Sequence, residues 1–246
     1  MSVPRIIGHR GAAGHAPENT LASIQKAFNL GASWVEFDVM LSGDDVPILF
    51  HDDKLDRVTN GHGLTAETPL ADLRALDAGS WFDPRFSGER IPSLAEAVAL
   101  LAELGLGANV EIKPSEGRDA VTGRGTAELL NDIWPETLPP PLISSFSLAA
   151  LDAFAAVATQ FERALLVFPI PADWRRQLED LGCAALHAQS RRLREGRARQ
   201  VMAAGYDLRV FTVNRVGRAR QVLGWGAAGV ITDVPDRLLT GLGYRP

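Results

Sequence analysis

The chain has 246 residues, enough for one α/β-barrel-sized domain or two small ones, and 46% of them are apolar, which suffices for a sizeable core. Its net charge of −5 gives a nucleic-acid partner no support from global electrostatics. One cysteine, Cys183, excludes an internal disulfide, and neither a signal-like start nor a membrane-length apolar run is present, so a cytoplasmic protein without stable membrane association is expected.

Strand-like segments follow one another along the chain, and helical patterns lie between most of them. The first runs from Arg5 to His9. Asn19 or Thr20 can then cap a helix with Leu21, Ile24, Ala27 and Phe28 inward and Gly31 at its end. From Trp34 to Met40 the pattern alternates, so Glu36 and Asp38 share one face while Val35, Phe37 and Val39 share the other. Only five residues separate Met40 from the next strand, Val46 to His51. A parallel crossover needs a dozen or more, so this gap predicts a hairpin. A turn centred near Gly43 and Asp44 would set His51 opposite Glu36.

Residues 52–92 break the alternation with Asn60-Gly61, Gly63, Pro69, Gly79, Pro84, Gly88 and Pro92, yet include Trp81, Phe82 and Phe86. A long irregular insert of this kind reads as a lid or binding loop, its aromatics either lid core or substrate contacts. Ser93-Leu94-Ala95-Glu96 is a capping box, with Leu94, Ala97, Val98 and Leu101 on one stripe and Gly105 as the stop. The strand from Ala108 to Lys113 puts Asn109, Glu111 and Lys113 on a single face. Strands are expected at 142–146, 162–168, 184–188, 208–213 and 229–232, with Ser147 opening a helix that turns Leu148, Leu151 and Phe154 inward. Arg191, Arg192, Arg194, Arg197 and Arg199 read as a solvated helix face, and Asp233 before Val234-Pro235 as a helix start.

Such repeated strand–helix alternation predicts a single (β/α)8 TIM-type barrel over residues 1–246, with the hairpin accounting for a ninth strand. Carboxylates opposite a clean apolar row call for a cation, so Glu36, Asp38 and Glu111 form a candidate site for a hard divalent ion. The plain alternatives are a charged edge strand for Glu36 and Asp38 and a salt bridge for Glu111 and Lys113. His9-Arg10, His51 and Glu111 close strands far apart in sequence, which in a barrel places them together on the catalytic rim.

In order along the chain, His9-Arg10-Gly11, Pro17-Glu18-Asn19-Thr20, Glu36-Phe37-Asp38-Val39, His51-Asp52, Glu111-Ile112-Lys113-Pro114 and Thr232-Asp233 resemble the successive motifs of the glycerophosphodiester phosphodiesterase family, most closely its cytoplasmic bacterial branch. Asp77-Ala78-Gly79-Ser80-Trp81 and Phe211-Thr212-Val213-Asn214 extend the match. The resemblance implies a barrel hydrolase that cleaves small glycerophosphodiesters to sn-glycerol 3-phosphate and an alcohol. It implies one divalent cation (Mg2+, Ca2+ or Mn2+) on Glu36, Asp38 and Glu111, with His9 and His51 as general acid and base. Arg10 and Lys113 map to phosphate-binding positions, and Asn19, Trp81 and Phe211 to a second layer or the pocket wall. Phe211 departs from the tryptophan or tyrosine of many relatives, keeping an aromatic wall without a polar tip. No role attaches to His187 or Gln189.

The chemistry fits that assignment. Three carboxylates and a dication leave one net negative charge, which Arg10 and Lys113 more than offset for a monoanionic diester. The leaving alkoxide must gain a proton and the nucleophile must lose one, whether that nucleophile is water or the substrate's own glycerol 2-hydroxyl. A phospholipase C- or sphingomyelinase D-like lyase acting on intact lipid, and a barrel that binds the ion without turnover, are the competing readings.

Overall fold

In the computed structural model, which describes residues 3–244, eight parallel strands close into a barrel. The ring runs β1 (Ile6–Gly8), β9 (Gly229–Thr232), β8 (Asp207–Phe211), β7 (Ala185–Gln189), β6 (Arg163–Val167), β5 (Leu142–Ser145), β4 (Gly107–Ile112) and β2 (Trp34–Leu41), and β2 closes on β1. All nine expected strands are present. The extra one, β3 (Pro47–Leu49), pairs antiparallel with the far end of β2 and stands outside the ring. The two N-terminal residues of the expected leaderless start lie outside the described residues.

The hairpin register differs by one residue from the expected one. Val39 pairs with Leu49 and Leu41 with Pro47, so the turn centres one half-step further on and His51 is not opposite Glu36. The ladder stops at Leu49, and His51 reaches the rim beyond it.

Every residue of β2 is buried, because one face of the strand meets helices and the other fills the barrel. Outward residues such as Val35, Phe37, Val39, Val110 and Ile112 join the main core beneath the helices. Inward ones at the barrel floor, including Ile7, Trp34, Leu142, Ala164, Ala185 and Ile231, make a separate apolar plug. The Trp34 indole lies across β4 so closely that a Cβ on Gly107 would come within 2.2 Å of it. Glycine is thus required at 107 by packing.

The three expected helices form, and two of their apolar side chains face outward. In α3 (Leu94–Leu104) the capping box of Ser93 and Glu96 is formed, and Gly105 ends the helix at φ 68°. Thr20 rather than Asn19 caps α1 (Leu21–Asn29), accepting from the Ser23 amide. Phe28 is exposed, as is Leu148 at the start of α5 (Leu148–Ala155), because both sit at helix edges where the apolar stripe has already rotated away from the sheet. Cys183 is buried and free.

The insert contributes only 3-10 turns at Thr65–Glu67 and Pro84–Phe86 and a single α-turn, α2 (Leu70–Leu73). It packs through Leu55, Val58, Leu73, Ala78 and Ile91 onto Met40, Ile48 and Phe50 of the hairpin. Trp81, Phe82 and Phe86 form an edge-to-face run at 5.6 and 5.7 Å. Asp77 organises this segment, accepting from the amides of Gly79, Ser80 and Gly88 and from the Ser80 hydroxyl.

Those amides of Ser80, Gly88 and Gly79 hold the Asp77 carboxyl well below its ordinary value. A depressed folded-state pKa contributes stability that is complete above about pH 4 and lost as pH falls through the folded value. Asp77→Asn is therefore expected to lower the urea midpoint at pH 7, with a gap to the parent protein that begins to narrow only as pH falls below about 4.

Candidate active site at the top of the barrel

The C-terminal ends of the strands bring the candidate residues to one cleft. His9, Arg10, Asp38, His51, Glu111 and Lys113 line it, together with Phe146, Phe168, Gln189, Phe211 and Thr212. Its volume is about 240 Å3. Strand ends are where inward side chains stop being needed to fill the barrel and become free to meet solvent.

Glu36, Asp38 and Glu111 each offer an oxygen lying within 4.8 Å of the others. Glu36 and Asp38 alternate inward on β2, and the parallel register sets Asp38 beside Glu111 on β4. Three carboxylates this close cannot all stay ionised unaided. Burial first, then the charges of Asp38 and Glu111, raise Glu36 well above the ordinary carboxylate range. Burial and Asp38 push Glu111 up to about 8. Burial would raise Asp38 too, but the charges of Arg10, His51 and Lys113 outweigh it and hold Asp38 low. One Glu36 oxygen, Oε1, is buried without any hydrogen-bond partner. An orphaned anionic oxygen in an all-oxygen set is what a hard divalent cation would satisfy. Glu36 and Asp38 are buried inside the barrel rather than on a charged edge, and among the described residues no ion pair joins Glu111 to Lys113.

Each rim histidine is held by its own carboxylate. His9 Nδ1 lies 2.6 Å from Asp233 Oδ1, and His9 Nε2 lies 3.9 Å from Glu36 Oε2. His51 Nδ1 lies 2.5 Å from Asp52 Oδ1. Each carboxylate makes Nδ1 the donor and leaves Nε2 to exchange protons. Burial holds His51 below the ordinary imidazole value against the pull of Asp38, with Arg10 and Lys113 adding to the depression.

A polar framework secures these groups. Arg10 takes a left-handed backbone (φ 48°), its amide donating to Glu36 Oε2 at 3.0 Å and its guanidinium to Glu18 at 2.6 Å. Its Nε lies 3.1 Å from Asp38. Gly11 follows at φ 83°, where a Cβ would run into the backbone of Ser23. Asn19, buried at φ 57°, donates to Asp38 Oδ2 at 2.9 Å and accepts from the Asp38 amide at 3.1 Å. Arg57, from the insert, reaches both Glu18 (2.7 and 2.9 Å) and Asp52 (2.5 Å).

Sequence reading missed several of these partners. Asp233 is not a helix cap: α9 (Pro235–Leu242) has Val234 at its N-cap, and Asp233 instead binds His9 and Asn214. The signal available was the position of Thr232-Asp233 at a strand end, the same rule that singled out His9. Nothing local marked Arg57, which acts across 39 residues of chain. Trp81 does not line the cleft; its indole N–H donates to the Ala78 carbonyl within the insert. Phe211 does, edge-on to Phe146 at 5.9 Å. Gln189 also lines it, while His187 is buried inside the barrel beside Arg209 with neither ring nitrogen paired. His15 pairs with Asp236 and the exposed His62 with Asp56, both away from the cleft.

Residues 9–237 match the model of the glycerophosphoryl diester phosphodiesterase family. The chain belongs to this family. It is 31% identical to the glycerophosphodiester phosphodiesterase of Caldanaerobacter subterraneus subsp. tengcongensis, covering 95% of this chain and 96% of the relative. YhdW of Bacillus subtilis (strain 168) is 32% identical over 95% of this chain and 96% of its own length. A phosphodiesterase of Oleispira antarctica, solved with its product sn-glycerol-3-phosphate, superposes with a TM-score of 0.95 at 41% identity, over 98% of this chain and 97% of that one. Membership accounts for the order of motifs along the chain; the hydrogen bonds above account for why they need to be there.

Removing the Asn19 side chain would leave the buried Asp38 amide without an acceptor, at a cost of about 1–3 kcal/mol. Asn19→Ala adds strain at a positive φ, and Asn19→Gly removes that strain while keeping the lost contact. Chemical denaturation should place Asn19→Gly between the parent and Asn19→Ala.

Proposed function

We propose that this protein hydrolyses small glycerophosphodiesters to sn-glycerol 3-phosphate and an alcohol, using a divalent cation and a pair of histidines. The observation that carries the reading is the convergence of three carboxylates and two carboxylate-held imidazoles on one cleft of a family member. The product complex of the Oleispira antarctica phosphodiesterase supports the glycerol phosphate half of the substrate. Among the described residues no helix is long and apolar enough to cross a membrane, which agrees with a water-soluble diester. A cytoplasmic location fits the single free cysteine.

Glu36, Asp38 and Glu111 would hold the ion. A bound divalent ion supplies positive charge against the phosphoryl oxygens and the carboxylates around it. The all-oxygen donor set favours Mg2+, Mn2+ or Ca2+ over zinc. Arg10 and Lys113 flank the carboxylates, and their charges attract the diester's phosphate. Asp233 and Asp52 orient His9 and His51 so that each presents Nε2. One imidazole takes the nucleophile's proton while the other, protonated, gives its proton to the leaving alkoxide. The carboxylate behind each ring stabilises whichever form carries charge. Phe146, Phe168 and Phe211 wall the cleft and limit water around the reacting phosphate. In this reading residues 52–92 act less as a lid than as a brace, since Arg57 holds the carboxylates that hold Arg10 and His51.

The decisive assay strips the protein of divalent ions and restores Mg2+, Mn2+ or Ca2+ singly, following sn-glycerol 3-phosphate release from glycerophosphocholine with lysophospholipid in parallel. Turnover of the small diester that is lost with chelator and regained with an ion is expected. Cleavage of the lipid alone, or no cleavage of either, would end the reading.

His9→Ala and His51→Ala are each expected to lower kcat by about 10^2–10^4-fold. Ion binding followed by calorimetry should persist in both, because neither imidazole belongs to the carboxylate set. Full activity in both variants would refute the acid–base assignment.

A further inference from the structure

The β7–β8 side of the cleft carries charge that the reaction itself does not use. Only Arg197 and Arg199 of the arginine cluster lie on a helix: Arg191, Arg192 and Arg194 all precede α7 (Glu195–Ala203) and lie in the loop that leaves β7 at the rim. All three are exposed, and among the described residues none is within ion-pair distance of a carboxylate. Glu195, the nearest acid in sequence, is turned to Arg199 at 2.7 Å.

Cavities open on both sides of this loop, and each shares a wall residue with the catalytic cleft. One, of about 230 Å3, shares Gln189 with the cleft and is lined by Arg192, Arg194 and Arg197. The other, of about 560 Å3, shares Thr212 with it and is lined by Arg191, Arg215 and Arg218. No acidic side chain lines either one among the described residues. Gln189 stands between the first cavity and the cleft with its Oε1 buried and unpaired, so a hydrogen-bond donor on an entering ligand would satisfy it. In a chain whose overall charge is −5, a rim free of acids is a local departure, and uncompensated cations beside a reactive cleft select ligands by charge.

The aromatic wall offers an opposite preference. Phe146 and Phe168 are about half exposed and could receive a quaternary ammonium such as choline. However, the Arg192 guanidinium already lies over the Phe168 ring, 5.0 Å from its centroid. It occupies that face and repels a second cation.

We propose that, among glycerophosphodiesters, this enzyme prefers those whose alcohol is anionic, with Arg192 and Arg194 as the residues that set the preference. The proposal rests on the phosphodiesterase reading and adds the class of alcohol to it. It places the alcohol arm of the diester toward β7, because glycerol is uncharged and only an anionic arm gains from the arginines.

The test uses the full chain with excess divalent ion at low ionic strength, and three diesters of glycerol phosphate: with glycerate, with glycerol, and with choline. Glycerate and glycerol differ by little more than a carboxylate. The kcat/KM ratio of glycerate over glycerol diester is expected to be about tenfold, from two exposed ion pairs of a few-fold each. The choline diester should be slowest. The ratio should fall to within about twofold of one in Arg192→Ala/Arg194→Ala and in high salt, and remain in Arg199→Ala, whose charge is already paired. A wild-type ratio at or below one, a ratio unchanged in the double variant, or a preference for choline would overturn the proposal, the last in favour of the phenylalanine wall. Failure to cleave any of the three would overturn the phosphodiesterase reading itself, and this inference with it.

Discussion

The top of this barrel is organised around a repulsion. Glu36, Asp38 and Glu111 bring three carboxylates into one cleft, and neither burial nor mutual charge favours their ionisation together. Much of what surrounds them can be understood as compensation. Arg10 folds back through a left-handed residue to place its amide on Glu36 and its guanidinium between Asp38 and Glu18. Asn19 spends a second left-handed residue to pair both with the Asp38 carboxylate and with its amide. These conformations are costly for residues with side chains, and they persist where the bonds they allow outweigh that cost. What the protein groups leave unmet, above all Glu36 Oε1, is the share a cation would take.

The same compensation is layered outward. His9 and His51 are each backed by a carboxylate, and one of those, Asp52, is held in turn by Arg57, which also grips Glu18 behind Arg10. The irregular segment after β3 is thereby tied to the site by two charged contacts, and to the fold by a small apolar cluster of its own. A stretch with so little regular structure can still hold a precise geometry, because its anchors are charge-assisted bonds at one end and burial at the other. The carboxylate-rich centre of the cleft then gives way, past Gln189 and Thr212, to flanking cavities whose charged lining residues are all arginines.

Period-two alternation made the nine strands legible, and the capping box and Gly105 made α3 legible. The short Met40–Val46 gap made the hairpin legible as well. Its register was not, since a turn rich in Gly and Asp can close in more than one way and the choice is made by Ile48, Leu49 and Phe50 finding the core. Phe28 and Leu148 were misplaced for a related reason: an apolar residue at the margin of a helical stripe can fall on either side of the boundary, and only the packed neighbour decides. Asp233 was read locally as a helix start, whereas its partner stands 224 residues away.

By itself, the sequence determined the barrel, the carboxylate set and the rim position of both histidines, because strand alternation and strand ends are local properties with a direct spatial meaning. Tertiary structure alone decided which groups hold the histidines, that Trp81 stays within the insert while Gln189 enters the cleft, and that Arg191, Arg192 and Arg194 sit in the loop beside the site and not on the helix that follows it. Those outcomes depend on contacts between segments far apart in the chain, and such contacts exist only once the barrel has closed.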